Sequence, residues 1–100
     1  MSDQPVSMKL QHPGSCTGMF WRGAPPGLQH RAAGAGAQPD WPRNGAILTG
    51  FVHELPKAHD GNTQWLEVVE FVPAGTAKAH PTPDCWMPFT QGGALLHPMA

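Results

Sequence analysis

Glycine and proline interrupt this sequence so often that no window of a dozen residues keeps the apolar spacing of an amphipathic helix. Such a helix needs apolar residues at positions i, i+3, i+4 and i+7, and proline and glycine disfavour it by about 3 and 1 kcal/mol respectively. The chain has 12 of each among its 100 residues. From residue 46 onward, turn signals recur roughly every ten residues. This pattern predicts an all-β fold, a small barrel of four to five short strands.

Four segments carry the β-branched and aromatic residues that are typical of strands. They are AILTGFVHEL at 46–55, WLEVVEFV at 65–72, DCWMPF at 84–89 and ALLH at 94–97. Between the first two, Asp60-Gly61-Asn62 supplies the positive φ that a tight hairpin turn requires. Gly50 within the first segment indicates a bulge or bend, and Pro88 limits the third segment to a sheet edge or a strand end.

Composition divides the chain near residue 45. Residues 1–45 contain six prolines and seven glycines but few β-branched residues. Such a segment buries too little apolar surface to offset the entropy of ordering it. Residues 46–100 hold most of the valine, isoleucine and leucine. We therefore expect an extended, mostly irregular N-terminal arm over 1–45 and a folded barrel domain over 46–100.

The charge distribution argues against nucleic-acid binding. Residues 1–45 carry four basic and two acidic residues, whereas residues 46–100 carry two basic and five acidic residues. A nucleic-acid-binding domain clusters lysine and arginine on its folded part, because affinity depends on the number of phosphates it neutralises. The predicted domain has the opposite balance, so we expect no nucleic-acid partner.

Cysteine and hydropathy patterns predict a soluble protein of a reducing, intracellular compartment. Cys16 and Cys85 are too few for a disulfide framework, and the first ten residues lack the apolar segment of a secretory signal. No stretch approaches the ~18–20 apolar residues of a membrane span, so we expect a chain that does not span a membrane. Residues 4–39 contain three basic and no acidic residues. An organelle interior therefore stays open as the location besides the cytoplasm.

A turn that leads into a tryptophan strand resembles a known family. DGNTQWLEV at 60–68 is followed about twenty residues later by Trp86-Met87-Pro88, and together they resemble the bacterial-type SH3 modules, small β-barrels of the SH3 class. The resemblance covers roughly residues 44–97 and implies an SH3-like barrel that binds other proteins. In SH3 domains that bind proline-rich ligands, aromatic rings line the groove. Here the corresponding positions are Gln64 and Gln91, so the resemblance does not imply that kind of groove.

The stretch AHPTPDC at 79–85 contains three side chains of metal-binding type, His80, Asp84 and Cys85. Structural zinc prefers four Cys or His ligands, and the second cysteine lies far away in the arm. A catalytic cysteine would need a histidine in contact and a pocket that favours the thiolate, and one core cysteine gives evidence of neither. We predict no catalytic residue, no metal and no cofactor. The alternative is a small metal-binding protein that uses these three side chains.

Aromatic side chains give the clearest signal for interaction. Tryptophan is enriched at the energetic centres of protein interfaces, and a domain this small cannot easily bury four tryptophans and four phenylalanines. We expect Trp65 at the core and Trp86 partly exposed. The arm aromatics either dock back on the domain and cover an open strand edge or anchor the arm on another protein. The sequence thus predicts a non-enzymatic interaction module or accessory subunit that docks on a protein partner through the arm and an aromatic edge. The predicted partner-binding residues are Phe20, Trp21, Trp41, Trp86, Pro88 and Phe89.

Overall fold

The computed structural model describes residues 4–30 and 39–99. Within them, five β-strands form one antiparallel sheet in the order β4-β3-β2-β1-β5. The strands are β1 (Val6–Leu10), β2 (Ile47–His59), β3 (Asn62–Val72), β4 (His80–Pro88) and β5 (Leu96–Pro98). The all-β prediction is confirmed, and closure of this sheet into an SH3-like barrel stays a prediction. In the described part of the chain, nothing helical has the length and hydropathy of a transmembrane segment.

A tight hairpin joins β2 to β3 where the sequence predicts a turn. Asp60 and Gly61 have φ values of 54° and 79°, the left-handed conformation that a type I′ turn needs at both central positions. Asn62 fixes this hairpin to the loop after β4. Its Nδ2 donates to the carbonyl oxygens of Asp60 and Thr90, and its Oδ1 accepts from the Thr90 backbone N–H at 2.8 Å.

Gly50 lies at a bulge in β2, as the sequence predicts. The register between β2 and β3 shifts between Thr49 and Gly50, and the backbone of β3 approaches Gly50 closely. A Cβ at this position would overlap the Glu67 carbonyl oxygen and would lie 2.7 Å from the carbonyl carbon of the same residue. Only glycine leaves room for this approach.

Strand β1 comes from the segment that the sequence predicts to be an irregular arm. It lies between β2 and β5, where Met8 is opposite Leu48 and Leu10 is opposite Leu96. Met8 and Leu10 are buried, and the residue between them is exposed. Residue 45 therefore does not separate the arm from the sheet. Residues 6–10 alternate between apolar and polar, but five residues hardly change the average composition of residues 1–45. The composition therefore does not reveal this strand.

The hydrophobic core draws on all five strands, which explains why the short strands β1 and β5 are held in place. Each fully buried Leu or Met side chain stabilises the fold by about 1.5–3 kcal/mol relative to an exposed one. The buried core cluster consists of Met8, Leu10, Ala46, Leu48, Leu66, Val68, Phe71, Cys85, Met87, Leu95 and Leu96.

Other parts of the described arm also lie against the sheet. Arg22 and Trp86 exchange backbone hydrogen bonds of 2.9 and 3.0 Å along the outer edge of β4. Pro25 and Pro42 are fully buried. The arm thus covers part of a strand edge that would otherwise be free to pair with another chain.

Candidate functional site

The predicted aromatic edge at residues 86–89 does not lie on the surface. Trp86 is fully buried, Pro88 is buried, and Phe89 is partly buried against the core. The expectation that Trp86 is partly exposed is therefore wrong. The reason is that the arm covers this part of β4, where the His30 ring lies 6.0 Å from the Trp86 ring.

The three aromatic residues predicted from the arm, by contrast, lie close together. The Phe20 and Trp41 rings contact each other with centroids 5.2 Å apart and an interplanar angle of 58°. Trp21 Nε1 donates to the Pro39 carbonyl oxygen at 3.0 Å, next to Asp40. We call the group formed by Phe20, Trp21, Pro39, Asp40 and Trp41 the aromatic surface.

Backbone pairing between two arm segments positions the aromatic surface. Gly18 and Arg43 form an antiparallel bridge, and the Asn44 N–H donates to the Thr17 carbonyl oxygen at 2.7 Å. The segments approach so closely at Gly18 that a Cβ there would overlap the Pro42 carbonyl oxygen and lie 2.7 Å from the Trp41 ring. The glycine therefore allows the contact that brings Phe20 and Trp41 together.

Two depressions lie on either side of Trp41 and share Asp40. The larger, with a volume of about 390 Å³, is lined by the five residues of the aromatic surface. The smaller, of about 250 Å³, continues past Arg43 toward Phe71 and Pro73 on β3 and the loop after it. The aromatic surface therefore lines a shallow, open depression.

Arg43 contacts both a ring and the carboxylate of this surface. Its guanidinium carbon lies 3.4 Å from the centroid of the Trp41 ring, within cation–π distance. Arg43 Nη1 lies 3.2 Å from Asp40 Oδ2 and also donates to the Trp41 carbonyl oxygen. Asp40 remains the more exposed partner of this ion pair, with 78% of its side chain accessible against 44% for Arg43.

A buried polar cluster connects the arm to the sheet beneath it. Glu67 on β3 is fully buried, and its Oε1 accepts a hydrogen bond of 2.8 Å from His53 Nε2 on β2. His30 Nδ1 lies 4.0 Å from Glu67 Oε2. The Trp86 ring packs against both histidine rings, with centroids 6.0 Å from His30 and 5.2 Å from His53.

The hydrogen bonds of His30 show how this cluster holds the arm. His30 Nε2 lies 2.7 Å from the Val68 carbonyl oxygen. A carbonyl only accepts, so Nε2 carries a proton and donates it. Nδ1 of the same ring is thereby directed to Glu67. Because the cluster is buried, it offers no access to a substrate, and its role is to join residues 21–30 to β2 and β3.

His80, Asp84 and Cys85 are not arranged as a metal site. In the ranges 4–30 and 39–99, no group of three or more His, Cys, Asp or Glu side chains is placed to hold a metal ion. His80 packs against the Phe71 ring at 5.8 Å. Asp84 is exposed in a left-handed turn conformation, with φ of 52°.

Cys85 lies in the core, where its thiol donates to the Pro83 carbonyl oxygen at 3.3 Å. Burial, and secondarily the neighbouring Asp84 carboxylate, raise the pKa of the Cys85 thiol from 9.0 to about 12. The thiolate is the reactive form of cysteine. Cys85 is therefore an inert core residue at neutral pH, while Cys16 is exposed.

This difference predicts the outcome of thiol labelling. At about pH 8, a disulfide reagent is expected to label one thiol per native chain, at Cys16, and two after denaturation. Cys16→Ser is the control and abolishes native labelling. Labelling of both thiols at equal rates in the native protein would contradict the burial of Cys85.

Because the Cys85 pKa is higher in the folded than in the unfolded chain, the free energy of unfolding falls as pH rises from 9 toward 12.

No protein-family model, curated protein or solved structure significantly matches this chain. The fold and the site define a small all-β domain whose N-terminal segments carry a partly exposed aromatic surface in a shallow depression. The resemblance to SH3 modules stays a prediction. Gln64, which takes a groove position in that resemblance, is exposed on β3, where it donates to Glu54 Oε1 at 3.1 Å.

Proposed function

We propose that this domain is a non-enzymatic protein-binding module, or a small accessory subunit of a larger assembly, that docks through the aromatic surface. The observation that carries the proposal is the position of Phe20, whose side chain is 70% exposed although its ring contacts Trp41. Removing a phenylalanine side chain from water stabilises a complex by about 1.5–3 kcal/mol. A partner that covers Phe20 removes this side chain from water, and the complex is then more stable by this amount than the separated proteins.

The fixed geometry of the aromatic surface supports the proposal. The bridge between Gly18 and Arg43 and the hydrogen bond from Trp21 to Pro39 hold the rings before any partner binds. Binding then costs little side-chain or backbone entropy, and this cost is a main reason why buried area alone does not give affinity. Aromatic anchors in preformed surfaces dominate the binding energy of many interfaces.

The distribution of other apolar side chains points to the same surface. Among the residues that the structure describes, the large hydrophobic side chains exposed to solvent are Phe20 and Met99. Trp86 and Pro88 are buried, so we do not include them in the docking surface. Phe89 packs against the core and, unlike Trp21, does not line the depression beside Trp41, so it is also left out.

Replacing Phe20 by serine tests the proposal. The tagged full chain, its Phe20→Ser variant and the matched control Met99→Ser are isolated from the source cells and compared by quantitative native mass spectrometry. We expect a discrete complex with the wild-type and Met99→Ser proteins. Loss of an anchor residue costs about 2 kcal/mol, so Phe20→Ser is expected to weaken binding about 30-fold.

Circular dichroism of the purified variants provides the folding control, because Phe20 lies outside the core and its replacement is expected to leave the spectrum unchanged. The proposal fails if wild-type protein forms no complex. It also fails if Phe20→Ser keeps the complex at wild-type abundance, since the partner would then bind elsewhere.

A further inference from the structure

The larger depression beside Trp41 combines aromatic walls with a carboxylate. Its lining contains the Phe20, Trp21 and Trp41 rings, Pro39 and the exposed carboxylate of Asp40. The face of an aromatic ring carries negative electrostatic potential and attracts cations. Both kinds of lining group therefore favour a positively charged ligand and disfavour an anion.

Trp41 and Asp40 already bind a cation within the chain. The Arg43 guanidinium lies over the Trp41 ring at 3.4 Å from its centroid and pairs with Asp40 Oδ2 at 3.2 Å. Arg43 belongs to the lining of the smaller depression, whereas Phe20 and Trp21 line the larger one. Trp41 and Asp40 thus hold one cation, the Arg43 guanidinium, on the side of the smaller depression.

The Asp40 carboxylate keeps the capacity to accept a further contact. Oδ1 accepts the Trp41 backbone N–H at 3.0 Å and Oδ2 pairs with Arg43, whereas a carboxylate accepts about four hydrogen bonds. Its side chain is 78% exposed. A second cation at the mouth of the depression therefore meets an accessible carboxylate.

The shape of the lining decides which kind of cation fits. The Phe20 and Trp41 rings contact each other at 5.2 Å between centroids and are tilted by 58°. A round ammonium group suits the outer side of this tilted pair, where the depression is shallow and open. A planar guanidinium instead stacks flat on one ring, as Arg43 does on Trp41. An inorganic cation requires several oxygen ligands, and the side chains of this depression supply one carboxylate.

We propose that this depression binds an alkylammonium group, the free or N-methylated ammonium of a lysine side chain on the partner protein. This inference rests on the proposed function and specifies the chemistry of the partner. One lysine head group of the partner would then lie in the depression against Phe20, Trp21 and Trp41, beside the Asp40 carboxylate.

Titration of the purified full chain with choline tests the inference directly. The matched control is 3,3-dimethyl-1-butanol, which has the same shape without the charge, at constant chloride concentration. We expect choline to shift the indole N–H resonances of Trp21 and Trp41 saturably and to leave that of buried Trp65 unchanged. The neutral compound is expected to bind at least about tenfold more weakly.

Four variants separate cation recognition from apolar contact. Phe20→Leu keeps apolar bulk but removes a ring, and Asp40→Asn removes the carboxylate charge; each is expected to weaken choline binding about fivefold or more. Arg43→Gln removes a competing cation and is expected to tighten it. Asp84→Asn changes an exposed carboxylate elsewhere at a left-handed position that asparagine tolerates, so it is expected to have no effect.

Acetyl-lysine amide (acetylated only at Nα) and its Nε-trimethyl form then distinguish the two sources of the ammonium group. Tighter binding of the trimethyl form assigns the site to methylated lysine, and equal binding assigns it to unmodified lysine. The inference is overturned if choline gives no saturable shift, if the neutral compound binds equally well, or if Asp40→Asn has no effect. In those cases the proposed function still stands provided that Phe20→Ser abolishes the complex; if it does not, both fail.

Discussion

Replacing Glu67 by alanine is expected to lower the free energy of unfolding by about 3–5 kcal/mol, because it removes a buried hydrogen-bond partner and leaves a cavity. Glu67 is fully buried and joins His53 on β2 to the arm residue His30. Without the carboxylate, the buried His53 imidazole loses its hydrogen-bond partner, His30 loses a neighbouring carboxylate, and a cavity remains. Small domains are stable by only about 5–15 kcal/mol, so the variant is expected to lose a large fraction of its stability. Urea denaturation followed by circular dichroism measures the change.

Two further variants show whether the cluster or the strand is responsible. Glu70→Ala removes an exposed carboxylate from the same strand, and it is expected to change stability by less than about 0.5 kcal/mol. Glu67→Gln keeps the side-chain size and an acceptor oxygen. Its decrease in the free energy of unfolding is therefore expected to lie between those of Glu67→Ala and Glu70→Ala. Equal stability of Glu67→Ala and Glu70→Ala would show that the cluster does not hold the arm on the sheet.

Replacing Gly50 by alanine is expected to destabilise the protein by about 2–4 kcal/mol, because the added methyl group overlaps backbone atoms rather than a movable side chain. The Cβ would overlap the Glu67 carbonyl oxygen and lie 3.0 Å from the Val68 Cα. To remove this overlap, β2 and β3 would have to move apart at the bulge. For a domain of this size each kcal/mol lowers Tm by about 4–8 °C, so a thermal melt is expected to show a decrease of about 10 °C or more.

Gly23→Ala is the matched control for this substitution. Gly23 is exposed, and an added Cβ there would meet no atom within 4 Å. Its Tm is expected to lie within a few degrees of wild type. If Gly50→Ala melts at the same temperature as Gly23→Ala, the close approach of β3 at the bulge is not a constraint on the fold.

Features set by neighbouring residues could be predicted from the sequence. The turn at Asp60-Gly61 and the bulge at Gly50 follow from the conformational freedom of glycine and from hairpin geometry, which are local properties. Strand β1 could not be recognised in the same way. Its partners are residues 47–50 and 96–98, and a short alternating segment becomes a strand only because these distant partners bury Met8 and Leu10.

The candidate site likewise contains residues that the local sequence reveals and residues whose position depends on distant parts of the chain. Phe20 and Trp41 could be singled out because large aromatic side chains are unusual in a glycine- and proline-rich segment, and their contact with a partner stays a prediction. Trp86 could not be placed correctly, because its burial depends on His30 and Arg22 from the arm. A charged Glu67 within an apolar strand was the available signal for the buried cluster, but its histidine partners become neighbours only in the folded sheet.

The pairing of β1 with β5 has a consequence for the order in which the protein folds. The β2–β3–β4 meander closes short loops, whereas Met8 finds Pro98 across almost the whole sequence. Long-range pairings form late, because the entropy of closing a large loop must be overcome first. While a ribosome is still adding residues 96–98, one edge of β1 has no strand beside it. In that interval the nascent chain presents a hydrogen-bonding edge that is prone to pair with other chains, and rapid completion of β5 protects it.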